Sequence, residues 1–407
     1  MSTPPARQPA ASASEVLALA RKLAQPLGTE RVPLRDAVGR VLRESVCAPE
    51  DQPPFDRSSV DGYAVRRDDT TALFRIVDEI RAGDWKPREL QPGEAVRVAT
   101  GGALPTTDLK VIMREDVEAQ DGMLRIKRSD GGVNIRFRGE DARAGQVLVE
   151  EGMLLHPGAA ALLASLGCAL PLVTRLPRVL HLATGNEIVP PEQSPARGQI
   201  RDSNSTLVRA FLKSWNVEPV QLRVPEDESA ARKSLADALP GVDLLLISGG
   251  ASVGEHDFTR RLLESFGYVI HVSKTTARPG KPLIFGQSQD GFAFGLPGNP
   301  LAHFVCLNLY VRALLEGLAG RSVASPAEFH AGVLASDFTA DAHSRETFWP
   351  ALWSLDSGAV LLTPLRWSSS GDLTALAKAN ALIRVAAGAE CWARGRQVEF
   401  LFTDQRA

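Results

Sequence analysis

Cysteine is scarce in this 407-residue sequence: Cys47, Cys168, Cys306 and Cys391 are the only four. They are too scattered for a CxxC metal site and too few for a disulfide framework, so a reducing, cytoplasmic setting is expected. Net charge is also nearly absent, with 46 Lys and Arg against 48 Asp and Glu, a formal −2. Such a balance gives no global field for attracting nucleic acid or an anionic membrane, and neither is expected as a partner. An anionic ligand must therefore be held by local chemistry. No apolar run reaches the ~20 residues that span a bilayer. The longest, residues 158–173, is built of small residues, contains Pro171 and reads as a buried helix followed by a strand. The opening stretch MSTPPARQPAASASE has no continuous apolar segment, so no secretory leader is expected. The P-loop spacing GxxxxGK[ST], the dinucleotide spacing GxGxxG and the zinc spacing HExxH are missing as well, and the seven histidines read as structural.

What is present is a chain with 44% hydrophobic residues, long enough for two to four domains. Ser12 and Glu15 have capping-box spacing, predicting a helix that starts near Ser14 and stops before Pro26. Residues 32–46 read as a short strand and a helix, and the prolines at 49, 53 and 54 then mark a boundary. From 55 to 147, short β-type runs such as YAVR, FRIVDEI, AVRVAT and VIMRED predict a small all-β insert. Pro157 opens a further helix that Gly167 closes. Between 177 and about 318, strands alternate with helices, and the continuously apolar DLLLIS predicts a parallel sheet covered on both faces. The remainder is β-rich, holds four of the six tryptophans and predicts a small barrel or sandwich.

The chemistry concentrates in loops. DLLLISGGASVGEHDF places Gly249, Gly250, Ser252 and Gly254 directly after a buried strand, where backbone amides can approach a phosphate; a plain tight turn reads equally well. KTTARPGKPLIFG spaces Lys274, Arg278 and Lys281 around a Pro-Gly turn, able to clamp an oxyanion or simply to form a solvated basic face. GLPGNP, with Pro297, Gly298, Asn299 and Pro300, fixes a rigid loop after the next strand. Asp61, Glu140, Asp141, Glu187, Asp227, Glu255 and Asp257 sit in similar loop contexts, where carboxylates bind Mg²⁺ and orient water or else cap helices and close Asx-turns. Thr100, before Gly101 and Gly102, reads on its own as a strand terminus.

Taken together and in this order, PPFDRSSVDGYAVR, VATGGALP, RGEDARAG, LATGNEIV, GQIRDSN, ISGGASVGEHDF, RPGKPLIFG and GLPGNP resemble the molybdopterin molybdenumtransferase family, the MoeA proteins and the corresponding domain of gephyrin. The resemblance covers essentially the whole chain after the first dozen residues. It implies a multi-domain α/β plus β fold: a tail of residues 1–12, a helical scaffold domain of 13–48 with 146–176, and a β-rich insert of 49–145. A three-layer α/β molybdopterin-binding domain of 177–322 and a C-terminal β-barrel of 323–407 complete it. It further implies an elongated homodimer whose cleft lies between the α/β domain of one subunit and the insert of the other. The implied reaction inserts molybdate into adenylylated molybdopterin, with hydrolysis assisted by Mg²⁺ or another divalent cation and release of AMP. Transient contact with the molybdopterin adenylyltransferase and with recipient molybdoenzymes is implied too.

The family's functional residues map onto Asp61, Thr100, Asp141, Glu187, Asp227, Asp257, Lys274, Arg278 and Lys281, with Glu187, Asp227 and Asp257 as metal candidates. Arg345 in HSRETF and Ser370 in SSSGDL match the barrel's share of an oxyanion pocket. The sequence departs from the family pattern at Arg57 for Asn, Asn186 for Asp, Arg201 for Tyr, Arg278 for Lys and Ala375 for Ser, and PTTDLKV stands in place of PxGADAV. Two other readings stand beside an insertase: a non-catalytic molybdopterin-binding or scaffold paralogue, and a molybdopterin adenylyltransferase. The second would not need the insert and the barrel.

Overall fold

The computed structural model describes residues 9–128, 131–249, 255–321, 329–340, 343–389 and 391–403, with 255–257 as backbone alone. Helix α1 (Ala13–Leu23) begins as its capping box dictates: the Glu15 amide donates to the Ser12 hydroxyl at 3.2 Å, and the Ser12 amide donates to the Glu15 carboxylate at 2.7 Å. The helix predicted within 32–46 does not form. A single 3₁₀ turn, Leu34–Asp36, is followed by Gly39 at φ +84°, after which the chain runs extended. Its backbone there bonds on one side to 153–155, through Leu42 to Met153 and Leu155 to Arg40, both at 2.9 Å. On the other side it bonds to 172–174, through Arg43 to Leu172 at 2.8 Å. Pairing with two neighbours satisfies the same amides a helix would have used, and the tertiary partners override local propensity. Helix α2 (Pro157–Ser165) forms as expected, with Pro157 in its first turn and Gly167 at φ +77° just beyond its end.

The insert is entered and left through adjacent segments, Ala48 bonding Gln146 at 2.9 Å and Gln52 bonding Ala142 at 2.8 Å. Its main sheet comprises β1 (Gly62–Arg66), β2 (Leu73–Ile80), β3 (Glu94–Val98), β4 (Leu109–Met113), β5 (Val117–Gln120) and β6 (Met123–Ile126), in the order β4-β1-β3-β2-β6-β5. Side chains alternate between faces. Ala64 packs on one side with Val96 and Val111, whereas Tyr63 and Val65 pack on the other with Phe74 and Leu124.

The α/β unit runs β7 (Val179–Thr184), α3 (Ser203–Lys213), β8 (Val220–Val224), α4 (Glu228–Ala238), β9 (Leu244–Ser248), α5 (Glu255–Ser265), β10 (Val269–Val272), β11 (Ile284–Gln287), β12 (Phe292–Leu296), α6 (Pro300–Cys306) and α7 (Arg312–Leu318). The sheet order is β8-β7-β9-β12-β11-β10; the first four strands are parallel, and β11 and β10 extend the sheet antiparallel. Every residue of β9 is buried, Leu244 and Leu246 facing one helical layer and Leu245 and Ile247 the other. This two-sided burial explains the unbroken apolar run and gives three layers. Leu262 and Leu235 lie in one layer's core, and Val208, Leu212, Leu314 and Leu315 lie in the other. α1 joins this second core, its buried Ala13, Val16, Leu17 and Ala20 packing with α7 and the π turn Leu307–Val311 between α6 and α7. Gly317 permits the approach, since a Cβ there would stand 2.4 Å from the Ala24 Cβ.

Strands β13 (His330–Leu334), β14 (Thr347–Asp356), β15 (Ala359–Pro364), β16 (Ala381–Val385) and β17 (Gln397–Phe402) close a five-stranded barrel in the order β13-β15-β14-β16-β17. Trp349 packs edge-on against Phe338 and Trp367 in its core, and its indole N–H donates to the Leu365 carbonyl at 2.7 Å. Among the described residues one helical run, Pro300–Leu318, is long and apolar enough to cross a membrane, and 78% of it is buried inside the protein.

Candidate functional site

Parallel strands β7, β9 and β12 end side by side, at Thr184, Ser248 and Leu296. A cleft of about 270 Å³ opens at these carboxyl ends, the place an α/β sheet offers to a ligand. Thr184, Gly185, Glu187, Gly249, Gly298 and Pro300 line it, together with the start of α3. Gly249 is at φ +120°, and a Cβ there would lie 2.2 Å from the Thr184 carbonyl oxygen, so only glycine lets the two strand ends converge. At the start of α3, Asp202 accepts from the Ser205 amide at 2.9 Å and pairs with Arg223 at 2.9 Å. Burial raises the Asp202 carboxyl, but the Ser205 hydrogen bonds and the Arg223 guanidinium outweigh it and hold the group below the usual range. Asn204 donates to the Gly298 carbonyl at 2.7 Å, tying α3 to the GLPGNP loop.

A second cleft, of about 280 Å³, lies between the α/β unit and the barrel. Arg278, Lys281, Arg345, Pro297, Asn299 and residues 367–370 line it, and no acidic side chain does so among the described residues. The Arg278 guanidinium sits 5.4 Å from the centre of the Trp367 ring. Arg345 has its pKa lowered, chiefly by burial and then by the positive charge of Arg278. Like charges gathered without an acid form a receptor for an anion. Ser370, from the barrel, accepts from the Asn299 side chain at 2.9 Å, and its carbonyl accepts from the Leu301 amide at 2.9 Å. Asn299 lines both clefts, so one loop joins them.

The other sequence candidates fall elsewhere. Asp61 and Thr100 are together on the insert, the Thr100 amide and hydroxyl donating to Asp61 at 2.7 and 2.8 Å; the amide first, then the hydroxyl, holds the Asp61 carboxyl low. Asp141, also on the insert, pairs with Arg136. Neither cleft of the same chain is lined by these residues or by Lys274. Asp227 caps α4 by accepting from the Ala230 amide at 2.7 Å, and the acid of VPEDES that lines the sheet-end cleft is its neighbour Glu226. Asn186 accepts from the Glu226 amide at 3.2 Å, so this departure from the family pattern still braces that loop. Arg201 lines the cleft and donates to the Pro191 carbonyl at 3.0 Å. Gly250, Ser252, Gly254 and the side chain of Asp257 lie outside the described residues; the letters GASVG at 250–254 also match the spacing of a nucleophile elbow. Sequence reasoning missed Asn204, Glu226 and Trp367 as lining residues, although the first two lie inside GQIRDSN and VPEDES and the third directly precedes SSSGDL.

No group of three or more His, Cys, Asp or Glu side chains arranged to hold a metal occurs among the described residues. Glu187 and Glu226 do line the sheet-end cleft. That donor set suits magnesium, which keeps several waters and takes one or two carboxylates together with substrate phosphates.

Comparison with known proteins matches three successive regions of the chain. The family model for the MoeA N-terminal region (domain I and II) matches residues 11–167, that of the probable molybdopterin binding domain matches 181–317, and that of the MoeA C-terminal region (domain IV) matches 331–402. A molybdopterin molybdenumtransferase of Bacillus subtilis is 34% identical over 390 residues, covering 92% of this chain and 89% of its own. One of Staphylococcus aureus is 28% identical over 385 residues, covering 92% and 91%. A molybdopterin biosynthesis MoeA protein of Pyrococcus horikoshii, of solved structure, superposes with a TM-score of 0.78 at 29% identity, over 97% of this chain and 100% of that one. With the N-terminal, molybdopterin-binding and C-terminal regions all matched in order, the chain belongs to the molybdopterin molybdenumtransferase (MoeA) family.

Proposed function

We propose that the protein is a molybdenum insertase that acts on adenylylated molybdopterin and molybdate and releases AMP with the finished cofactor. The observation that carries this reading is the pair of clefts joined at Asn299. Insertion needs a pterin phosphate and an oxyanion held next to each other, and here a sheet-end cleft abuts an acid-free cationic one. Gly249, Gly298 and the start of α3 hold the pterin substrate, while Arg278, Lys281, Arg345 and Ser370 hold molybdate. Cleaving a phosphoanhydride depends on charge neutralisation and an aligned water more than on a covalent intermediate. The cations of the second cleft supply part of the first, and Glu187 orients the water. Magnesium, or another divalent cation, would be held by Glu187 and Glu226 with the substrate phosphates and would neutralise charge on the departing AMP. Asp61 and Thr100 reach the cleft from the insert of a partner subunit in a homodimer, which explains why they pair with each other at a distance from the clefts of their own chain. A cytoplasmic location follows from substrates made and used there, and transient contacts with the adenylyltransferase and recipient molybdoenzymes follow from handing the cofactor on.

The test is a reaction of purified protein with adenylylated molybdopterin, Mg²⁺ and molybdate, following AMP and active cofactor. Release of both in equal amounts supports the insertase. Tight substrate binding without AMP release would establish the scaffold reading instead. The adenylyltransferase reading is disfavoured by the cationic cleft, to which the barrel contributes Arg345 and residues 367–370.

A further inference from the structure

Under the floor of the sheet-end cleft lies a row of hydrogen bonds that the proposed reaction does not use. Gln221 of β8 makes contact with the Ser205 carbonyl at 2.8 Å and with His181 Nδ1 at 3.1 Å. His181 Nε2 meets the Ser248 hydroxyl at 2.6 Å, and that hydroxyl meets His303 Nε2 at 3.5 Å. His303 Nδ1 ends the row on the Pro297 carbonyl at 3.0 Å. His181, Ser248 and His303 are all buried.

The row has one direction only. Carbonyl oxygens accept and never donate, so Gln221 donates its amide to Ser205 and His303 carries its proton on Nδ1. Gln221 Nε2 has a second proton, which goes to His181 Nδ1; His181 is therefore protonated on Nε2 and donates to Ser248. The Ser248 hydroxyl then donates to the bare Nε2 of His303. A charged His181 would set its Nδ1 proton against the Gln221 amide, and a charged His303 would force the Ser248 hydroxyl to accept from both rings and turn its own proton away. Burial keeps both rings neutral, His181 lowered to about 3 and His303 to about 4, with His303 itself, Arg223 and the opposing Asp202 as the further charges acting on His181.

We infer that His181 and His303, in fixed and opposite tautomers, are positioning residues that set the spacing between the Ser248 and Gly249 strand end and the Pro297 and Gly298 loop, the two sides of the cleft. The row runs from the first turn of α3 through β8, β7 and the end of β9 to α6, so one missing proton acceptor uncouples the loops. The inference rests on the reading of this cleft as the molybdopterin site. Sequence reasoning set these histidines aside as structural; they are, but what they hold in place is the cleft.

Long-range ¹H–¹⁵N spectra of the histidine-labelled wild-type protein at pH 6 test it directly. The expected result is two neutral rings, His181 protonated on Nε2 and His303 on Nδ1, each assigned by loss of its signals in a single variant. A charged ring, or either ring in the other tautomer, overturns the row. The functional half is read by binding of molybdopterin: His303→Leu, which removes both bonds, raises Kd about ten-fold, the loss expected for leaving buried partners unpaired. His303→Asn retains a donor toward Pro297 and recovers part of that loss. Wild-type affinity in a folded His303→Leu protein overturns the positioning role. Absence of molybdopterin binding by the wild type would instead sink the functional reading, and the tautomers would still decide whether the row exists.

Discussion

The Asn299 side chain donates to the Ser370 hydroxyl at 2.9 Å, fastening a barrel loop onto the first residues of α6. Asn299 occupies the N-cap position of α6 yet makes no capping bond with its side chain. Its amide is given instead to the neighbouring domain, which makes the oxyanion cleft a property of two domains held in register.

A consequence follows for Ser370. Because its oxygen already accepts from Asn299, its own proton is left to donate, and it borders a cleft lined by Arg278, Lys281 and Arg345 without an acid. Ser370→Ala is expected to raise the KM for molybdate by roughly 10- to 150-fold, the equivalent of about 1.5–3 kcal/mol for a hydrogen bond to a charged group. Molybdate titrations of AMP-coupled turnover measure this, and an unchanged KM would remove Ser370 from the oxyanion site.

Arg345 and Arg278 repel each other in the unliganded protein, as the lowered Arg345 pKa records after burial is counted. Molybdate should relieve that repulsion and stabilise the fold. At a hundred times Kd the gain is about 2.7 kcal/mol, visible as a rise in Tm at constant ionic strength. Arg345→Ala should unfold at the same temperature with or without molybdate. An equal rise in the variant would place the anion elsewhere.

Much of this was legible in the sequence, and the reasons differ by element. The capping box at Ser12 and Glu15, Pro157 with Gly167, and the unbroken apolar β9 are local signals, and local signals survive folding. The segment 32–46 misled because its helical periodicity is outcompeted by pairing on both sides, with partners more than 100 residues away in sequence. Among acids, VPEDES pointed to Asp227; only the start of α4 reveals that Asp227 is its cap and that Glu226 lines the cleft. Asn204 and Trp367 were illegible because their roles are contacts, with Gly298 and Arg278, made across domains or elements.

Gly249 admits no side chain. At φ +120°, with the Thr184 carbonyl 2.2 Å from where a Cβ would stand, Gly249→Ala must open the junction between β7 and β9. A cost of about 1–3 kcal/mol in stability is expected from the backbone strain alone. Turnover should fall further than Tm suggests, since the displaced backbone forms the cleft itself. Retained kcat/KM in a variant with reduced Tm would separate the loop from the substrate.

The shared site proposed for Asp61 and Glu187 makes a quantitative prediction about mixtures. Asp61→Asn and Glu187→Gln should each be inactive and folded. If the insert of one subunit completes the cleft of the other, co-refolded equal amounts form half heterodimers, each with one intact site. Activity should return to about a quarter of the wild-type level. Zero recovery, with heterodimers verified by mass, would place both residues in a site within one chain.

Acid should weaken the fold in a defined window through His181 and His303. Unfolded, each ring has a pKa near 6.5; folded, burial lowers them to about 3 and about 4. Between these limits the unfolded state binds protons that the native state refuses, so stability is complete above pH 6.5 and falls as pH drops toward 4. Each ring contributes a slope of about 1.4 kcal/mol per pH unit once well below 6.5. The carboxylates held low, such as Asp61 and Asp372, have ordinary values near 3.8 and add their losses only at the acid end of this window. Urea unfolding at pH 7, 6 and 5 and fixed protein concentration measures the slope. His303→Gln, which cannot titrate, should remove one ring's share and flatten the dependence while lowering stability at pH 7. A variant that keeps the full wild-type slope would show that His303 is not kept neutral by the fold.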